Sequence, residues 1–164
     1  MDKLIIKGGS KISGSVNVHG SKNAALPIIV SSLLSDKSLK LLNVPNVVDV
    51  SNLITLLKKY GVKILRNKNI VNINPKKIKN LSADYDVVRK MRASILILGP
   101  LLSRFGEAKI SLPGGCAIGT RPIDIHLAGL SKLGANFEIQ NGFVVGNVKS
   151  RLIGNKINLP FPSV

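Results

Sequence analysis

The chain has 164 residues, 45% of them hydrophobic, which is enough for one domain with a proper core and too apolar for a disordered polypeptide. Its 24 Lys and Arg against 8 Asp and Glu give a formal charge of +16, but aromatics are only 4%, tryptophan is absent and the lysines are scattered, so the charge argues for drawing in small polyanions rather than nucleic acid. A single cysteine excludes an internal disulfide framework, and the longest apolar stretch, residues 95–102, is interrupted by Gly99 and Pro100 and too short for a bilayer, so with the Met-Asp-Lys-Leu start a cytoplasmic chain with no membrane partner is expected.

Gly20-Ser21-Lys22-Asn23-Ala24-Ala25 opens the first helix, expected over residues 24–34 and apolar almost all round. Glycine makes the turn, serine or asparagine caps the helix, and Lys22 lies at its positive end, where a bound anion would compensate a cation. A capped helix with a solvated lysine has the same sequence. Pro27 is expected to be tolerated because the first turn lacks partners for its N–H groups. A strand over 39–44, an amphipathic helix over 50–60 and strands over 62–65 and 70–73 follow, the basic stretch 66–79 reading as a solvated hairpin.

A second copy of this order is expected, with a helix over 87–105, a strand over 108–112, a helix over 123–133 and strands over 136–139 and 143–148. Leu33-Leu34 matches Leu101-Leu102, Lys40 matches Lys109, Pro45 matches Pro113 and Gly61 matches Gly134, with the spacing widening only after Pro113. The unit is close to β-α-β-α-β-β, an α/β arrangement whose helices need sheets to cover them, and such units stack on one another. A third copy is expected to begin near Leu159-Pro160-Phe161-Pro162-Ser163-Val164, so the chain reads as truncated.

The widened segment is Gly114-Gly115-Cys116-Ala117-Ile118-Gly119-Thr120-Arg121-Pro122. Pro122 suits a first helical turn, the helix after it carries Ile123, Leu127 and Leu130 as a stripe, and Gly134 ends it. Arg121 thus falls at a helix start, and Cys116 shares that positive field, which favours thiolate relative to a free pKa of about 8.5. The alternative for a lone cysteine is a small buried hydrophobe. Arg92, before Ala93-Ser94 and an apolar run, is a third cation at a helix start, open equally to a surface ion pair. Asp124 is open to capping or to a sugar hydroxyl, and His126 is expected to pack near the helix start. His19 and His126 make no metal case, and there is no P-loop, dinucleotide fingerprint or zinc spacing, so no cofactor and no metal are implied.

Ser21-Lys22-Asn23-Ala24-Ala25, Met91-Arg92-Ala93-Ser94, Gly99-Pro100-Leu101, Leu112-Pro113-Gly114-Gly115-Cys116-Ala117-Ile118-Gly119 and Arg121-Pro122-Ile123-Asp124 together resemble the UDP-N-acetylglucosamine 1-carboxyvinyltransferase (MurA) family, in order and along the whole chain. The resemblance implies an inside-out α/β barrel of the enolpyruvyl transferase type, incomplete here, with residues 1–21 as strands of a mostly absent domain and 22–164 as two of three repeats of the other. It implies phosphoenolpyruvate and UDP-N-acetylglucosamine as substrates in the first committed step of peptidoglycan synthesis. Lys22 and Asn23 would bind phosphoenolpyruvate and contact the sugar nucleotide, and Arg92 and Arg121 would hold phosphate or carboxylate oxygens. Arg121, Pro122, Ile123, Asp124, Ile125, Ser163 and Val164 would line the UDP-sugar site. Cys116 would be the general acid and the thiol alkylated by fosfomycin. The family's general-base aspartate lies beyond this chain, which is therefore expected not to turn over substrate alone. Two rivals remain: a non-catalytic relic that keeps the anion sites, and 5-enolpyruvylshikimate-3-phosphate synthase, which shares fold and reaction type but lacks the cysteine loop.

Overall fold

Each half of the chain runs helix, strand, helix, hairpin. The computed structural model describes residues 3–78, 81–83, 91–112 and 123–161, with Ser82, Ala83 and Arg92 described by backbone alone. The first half comprises α1 (Lys22–Ser31), β1 (Leu39–Leu41), α2 (Val48–Lys59), β2 (Lys63–Asn67) and β3 (Ile70–Asn74). The second comprises β4 (Ser82–Ala83), a 3₁₀ segment (Arg92–Ile97) continuing into α3 (Leu98–Phe105), β5 (Glu107–Ser111), α4 (Asp124–Lys132), β6 (Ala135–Gln140) and β7 (Phe143–Val148). The sheets are ordered β1-β3-β2 and β4-β5-β7-β6. With β5, β7 and β6 standing for β1, β3 and β2 the order is the same, and the pairs are antiparallel in both. Among the described residues only the second sheet has a leading strand, β4, parallel to β5.

Helices form the interior. On α2 the spacing of Val50, Leu53, Ile54 and Leu57 puts one apolar stripe inward, and all four are buried. Along β3, Val71 and Ile73 alternate inward while Asn72 and Asn74 face out. Leu98, Leu101 and Leu102 of α3 join the same core, packed on β5 and on β7. α1 packs on α2 and on the 3₁₀ segment, so helix meets helix at the centre and each sheet turns a polar face outward. This is the inside-out arrangement, and among the described residues the two sheets do not close a barrel. Arg104 of α3 ties the halves together by donating to the carbonyls of Leu33 (3.2 Å), Ser35 (2.8 Å) and Pro75 (3.3 Å).

Several sequence expectations are corrected. α1 starts at Lys22, two residues early, and a 3₁₀ turn takes over at Ser32–Leu34. Pro27 then lies past the first turn, where it offers no N–H to the Asn23 carbonyl. β1 stops at Leu41 because Asn43 turns the chain with φ +56°. In place of one long helix over 87–105, the described part opens as 3₁₀ and becomes α-helical only at Leu98, with Pro100 in the first turn of α3, where a missing N–H is harmless. Arg66 is not a solvated hairpin residue: its guanidinium donates to the carbonyls of Lys68 (3.0 Å) and Pro45 (2.9 Å). Apart from these corrections, Leu4, Ile5, Ile12 and Val16 of residues 3–20 are exposed. No helix of the described residues is long and apolar enough to cross a membrane.

Candidate functional site

Two helix starts meet at the first part of the site. Ser21 caps α1, its hydroxyl accepting from the Ala24 amide at 3.4 Å, as the sequence led one to expect. Lys22 and Asn23, in the first turn, are exposed. The Lys22 ammonium lies 2.8 Å from a carboxylate oxygen of Asp49, in the first turn of α2. With side-chain exposures of 48% and 38%, the pair contributes at most about 1 kcal/mol to folding. Its effect is therefore on where Lys22 points. A Cβ at Gly20 would overlap the Asn43 carbonyl oxygen, so only glycine lets the turn before α1 lie against the loop that leads into α2. Asp49 escaped the sequence reading, although a signal exists: Val48-Asp49-Val50 opens α2 as Ile123-Asp124-Ile125 opens α4.

The second part lies along α4. Asp124, Ile125, Ala128, Gly129 and Lys132 form one wall of a cavity of about 190 Å³, and residues 157–160 form the other. That return segment is pinned to the end of α4: the Ile153 amide donates to the Leu133 carbonyl and the Asn155 side chain to the Lys132 carbonyl, both at 2.8 Å. Gly134, with φ +102°, ends the helix as expected and lets the chain turn. Asp124 makes no cap, because Ile123 holds the N-cap position without a side-chain bond, and its exposed carboxylate faces the cavity mouth. His126 packs inward against the backbone of Ile95, where burial pushes its pKa below the ordinary 6.5, with the Ile95 backbone hydrogen bond opposing in part.

The 3₁₀ segment that starts at Arg92 links the two parts. It packs on α1 and α2 on one side, and through Ile95 it meets His126 of α4 on the other. The 3₁₀ segment thus stands between the helix that carries Lys22 and Asn23 and the helix that carries Asp124 and Ile125. Cys116, Arg121, Pro122, Ser163 and Val164 lie outside the described residues. Among the described residues no cluster of His, Cys, Asp and Glu could hold a metal ion.

An α/β repeat with helices inside and sheets outside defines the class: the fold is that of the enolpyruvyl transferases. The enolpyruvyl transferase NikO from Streptomyces tendae superposes with a TM-score of 0.73 at 19% identity, over 89% of this chain and 32% of that one. EPSP synthase from Acinetobacter baumannii does so at 0.67 and 18%, over 92% and 35%. A sequence model of the EPSP synthase (3-phosphoshikimate 1-carboxyvinyltransferase) family matches residues 6–164, and the chain belongs to that family. Among curated relatives, the UDP-N-acetylglucosamine 1-carboxyvinyltransferase of Wolinella succinogenes is 52% identical over 96% of this chain. That of Buchnera aphidicola is 51% identical over all of it. The chain spans 38% and 39% of those relatives' lengths.

Proposed function

We propose that this chain supplies the N-terminal part of an enzyme that transfers the enolpyruvyl group of phosphoenolpyruvate to the 3′-hydroxyl of UDP-N-acetylglucosamine and releases phosphate. Residues 22–164 are two repeats of a three-repeat domain, and residues 1–21 belong to a second domain. The step is the first committed one in peptidoglycan synthesis, and the reading brings with it a cytoplasmic location and alkylation of Cys116 by fosfomycin. The observation that supports the reading is the α4 cavity: Asp124 and Ile125, two of the proposed sugar-nucleotide contacts with Arg121, Pro122, Ile123, Ser163 and Val164, share one concave surface with residues 157–160.

In this reading Lys22, Arg92 and Arg121 oppose positive charge to the carboxylate and phosphate of phosphoenolpyruvate, and Asn23 adds a neutral hydrogen-bonding amide. Cys116 gives a proton to the methylene carbon while the 3′-oxygen, losing its own proton to the general base that lies beyond this chain, bonds to the neighbouring carbon. Loss of phosphate from that carbon and of a proton from the methyl group then restores the double bond. Protonation makes the oxygen-bearing carbon electrophilic, so an acid in the loop is required. A closing loop would keep water from that carbon.

The test is phosphate release by the protein translated from its whole reading frame. Release from phosphoenolpyruvate that requires UDP-N-acetylglucosamine and is not supported by shikimate 3-phosphate is expected, while residues 1–164 alone are expected to give none. Release with shikimate 3-phosphate, or with neither acceptor, would overturn the assignment.

A further inference from the structure

Lys22 occupies the first turn of α1, where the helix dipole repels a cation and four rotatable bonds leave the ammonium free to wander. The structure ends that freedom from one direction: the Asp49 carboxylate, in the first turn of α2, meets Lys22 Nζ at 2.8 Å. Asp49 is free to do so because it does not cap its own helix, whose N-cap residue, Val47, makes no side-chain bond. The two helix starts are also fixed with respect to one another. Gly20 lies against the Asn43 backbone, the Val44 amide donates to the Asn69 carbonyl at 2.8 Å, and Arg66 holds the Pro45 carbonyl at 2.9 Å, so the loop entering α2 is tied to the β2–β3 hairpin on one side and to the α1 turn on the other.

We propose that Asp49 is a positioning residue: held by this clamp, its carboxylate aims the Lys22 ammonium at the place where the anionic substrate is gripped. The inference rests on the reaction proposed above and adds a residue to it. A carboxylate beside a substrate-binding lysine lowers the local positive potential, so it gives no gain in anion affinity. Its benefit is orientation, which removes in advance the rotamer entropy that a free lysine would lose on reaching the reacting geometry. The second repeat puts Asp124 in the first turn of α4, where it lines the cavity and, among the described residues, pairs with no lysine, so the same sequence triplet serves a different surface.

The experiment is a double-mutant cycle on the protein translated from its whole reading frame, followed by phosphate release. Asp49→Asn is expected to lower kcat about tenfold while KM for phosphoenolpyruvate changes less than about threefold. Lys22→Met lowers kcat further, and adding Asp49→Asn to Lys22→Met costs nothing more, because the carboxylate acts only through the ammonium. Asp49→Glu, which keeps the charge on a longer stem, recovers part of the loss. Thermal midpoints are recorded alongside, and if Asp49→Asn melts below the assay temperature, Asp49→Glu with a retained midpoint and a reduced kcat carries the same result. An unchanged kcat in Asp49→Asn, or losses that multiply in the double variant, would overturn the positioning role. A parent protein that releases no phosphate would instead overturn the reaction itself, so the two failures are read from different samples.

Discussion

The two repeats share a strand order and differ in how their second helices are covered. In α2, Val50, Leu53, Ile54, Leu56 and Leu57 are buried, enclosed by α1, β2 and the 3₁₀ segment. In α4 no residue is buried, and Leu127 and Leu130, the stripe read from sequence, are only half-covered. Part of the cover on α2 is thus supplied by the 3₁₀ segment of the second repeat. The side of α4 left open carries the cavity, so incomplete packing and the candidate substrate surface coincide.

The largest effect that would break this comparison is a core truncation. Leu56→Ala is expected to lower unfolding free energy by about 3 kcal/mol, and Leu127→Ala by less than about 1.5 kcal/mol, read from urea midpoints. Equal losses would mean that α4 is packed as fully as α2. A smaller effect is pH-dependent. His126 is the only titratable residue on the inward side of α4, and by the Gly61–Gly134 match the buried Leu53 stands at its place on α2. Because burial depresses the His126 pKa, the unfolded chain takes up the proton first. Its share of stability is thus whole above pH 6.5 and is lost as the pH falls toward the lower folded value. His126→Gln should flatten that slope, and an unchanged slope in a pH series of melting midpoints would remove His126 as its source.

Much of the fold was legible because both periodicities are clean. The 3.6-residue spacing on α2 and the alternation along β3 and β7 gave the elements and the repeat, and Gly61 and Gly134, with φ of +91° and +102°, marked both helix ends. What the sequence hid depends on tertiary contact. The break of the second long helix into 3₁₀ and α parts has only Gly99-Pro100 as its sign, and the end of β1 depends on a left-handed Asn43. Arg104 and Arg66 look like solvated cations in sequence, yet each is held by carbonyls distant along the chain. In the site, the Ser21 cap and the helix-start lysine were readable from local pattern. The Lys22–Asp49 pair was not, because its members lie in different helices and meet only through the Gly20–Asn43 contact.

The most direct measurement is hydrogen–deuterium exchange of the protein translated from its whole reading frame, with and without UDP-N-acetylglucosamine and then phosphoenolpyruvate. The account predicts added protection in peptides covering 123–132 and 157–160 with the sugar nucleotide, extending to 20–24 and 47–50 when phosphoenolpyruvate follows. Protection confined to the outward face of β1, β2 and β3, or absent from α4, would contradict it.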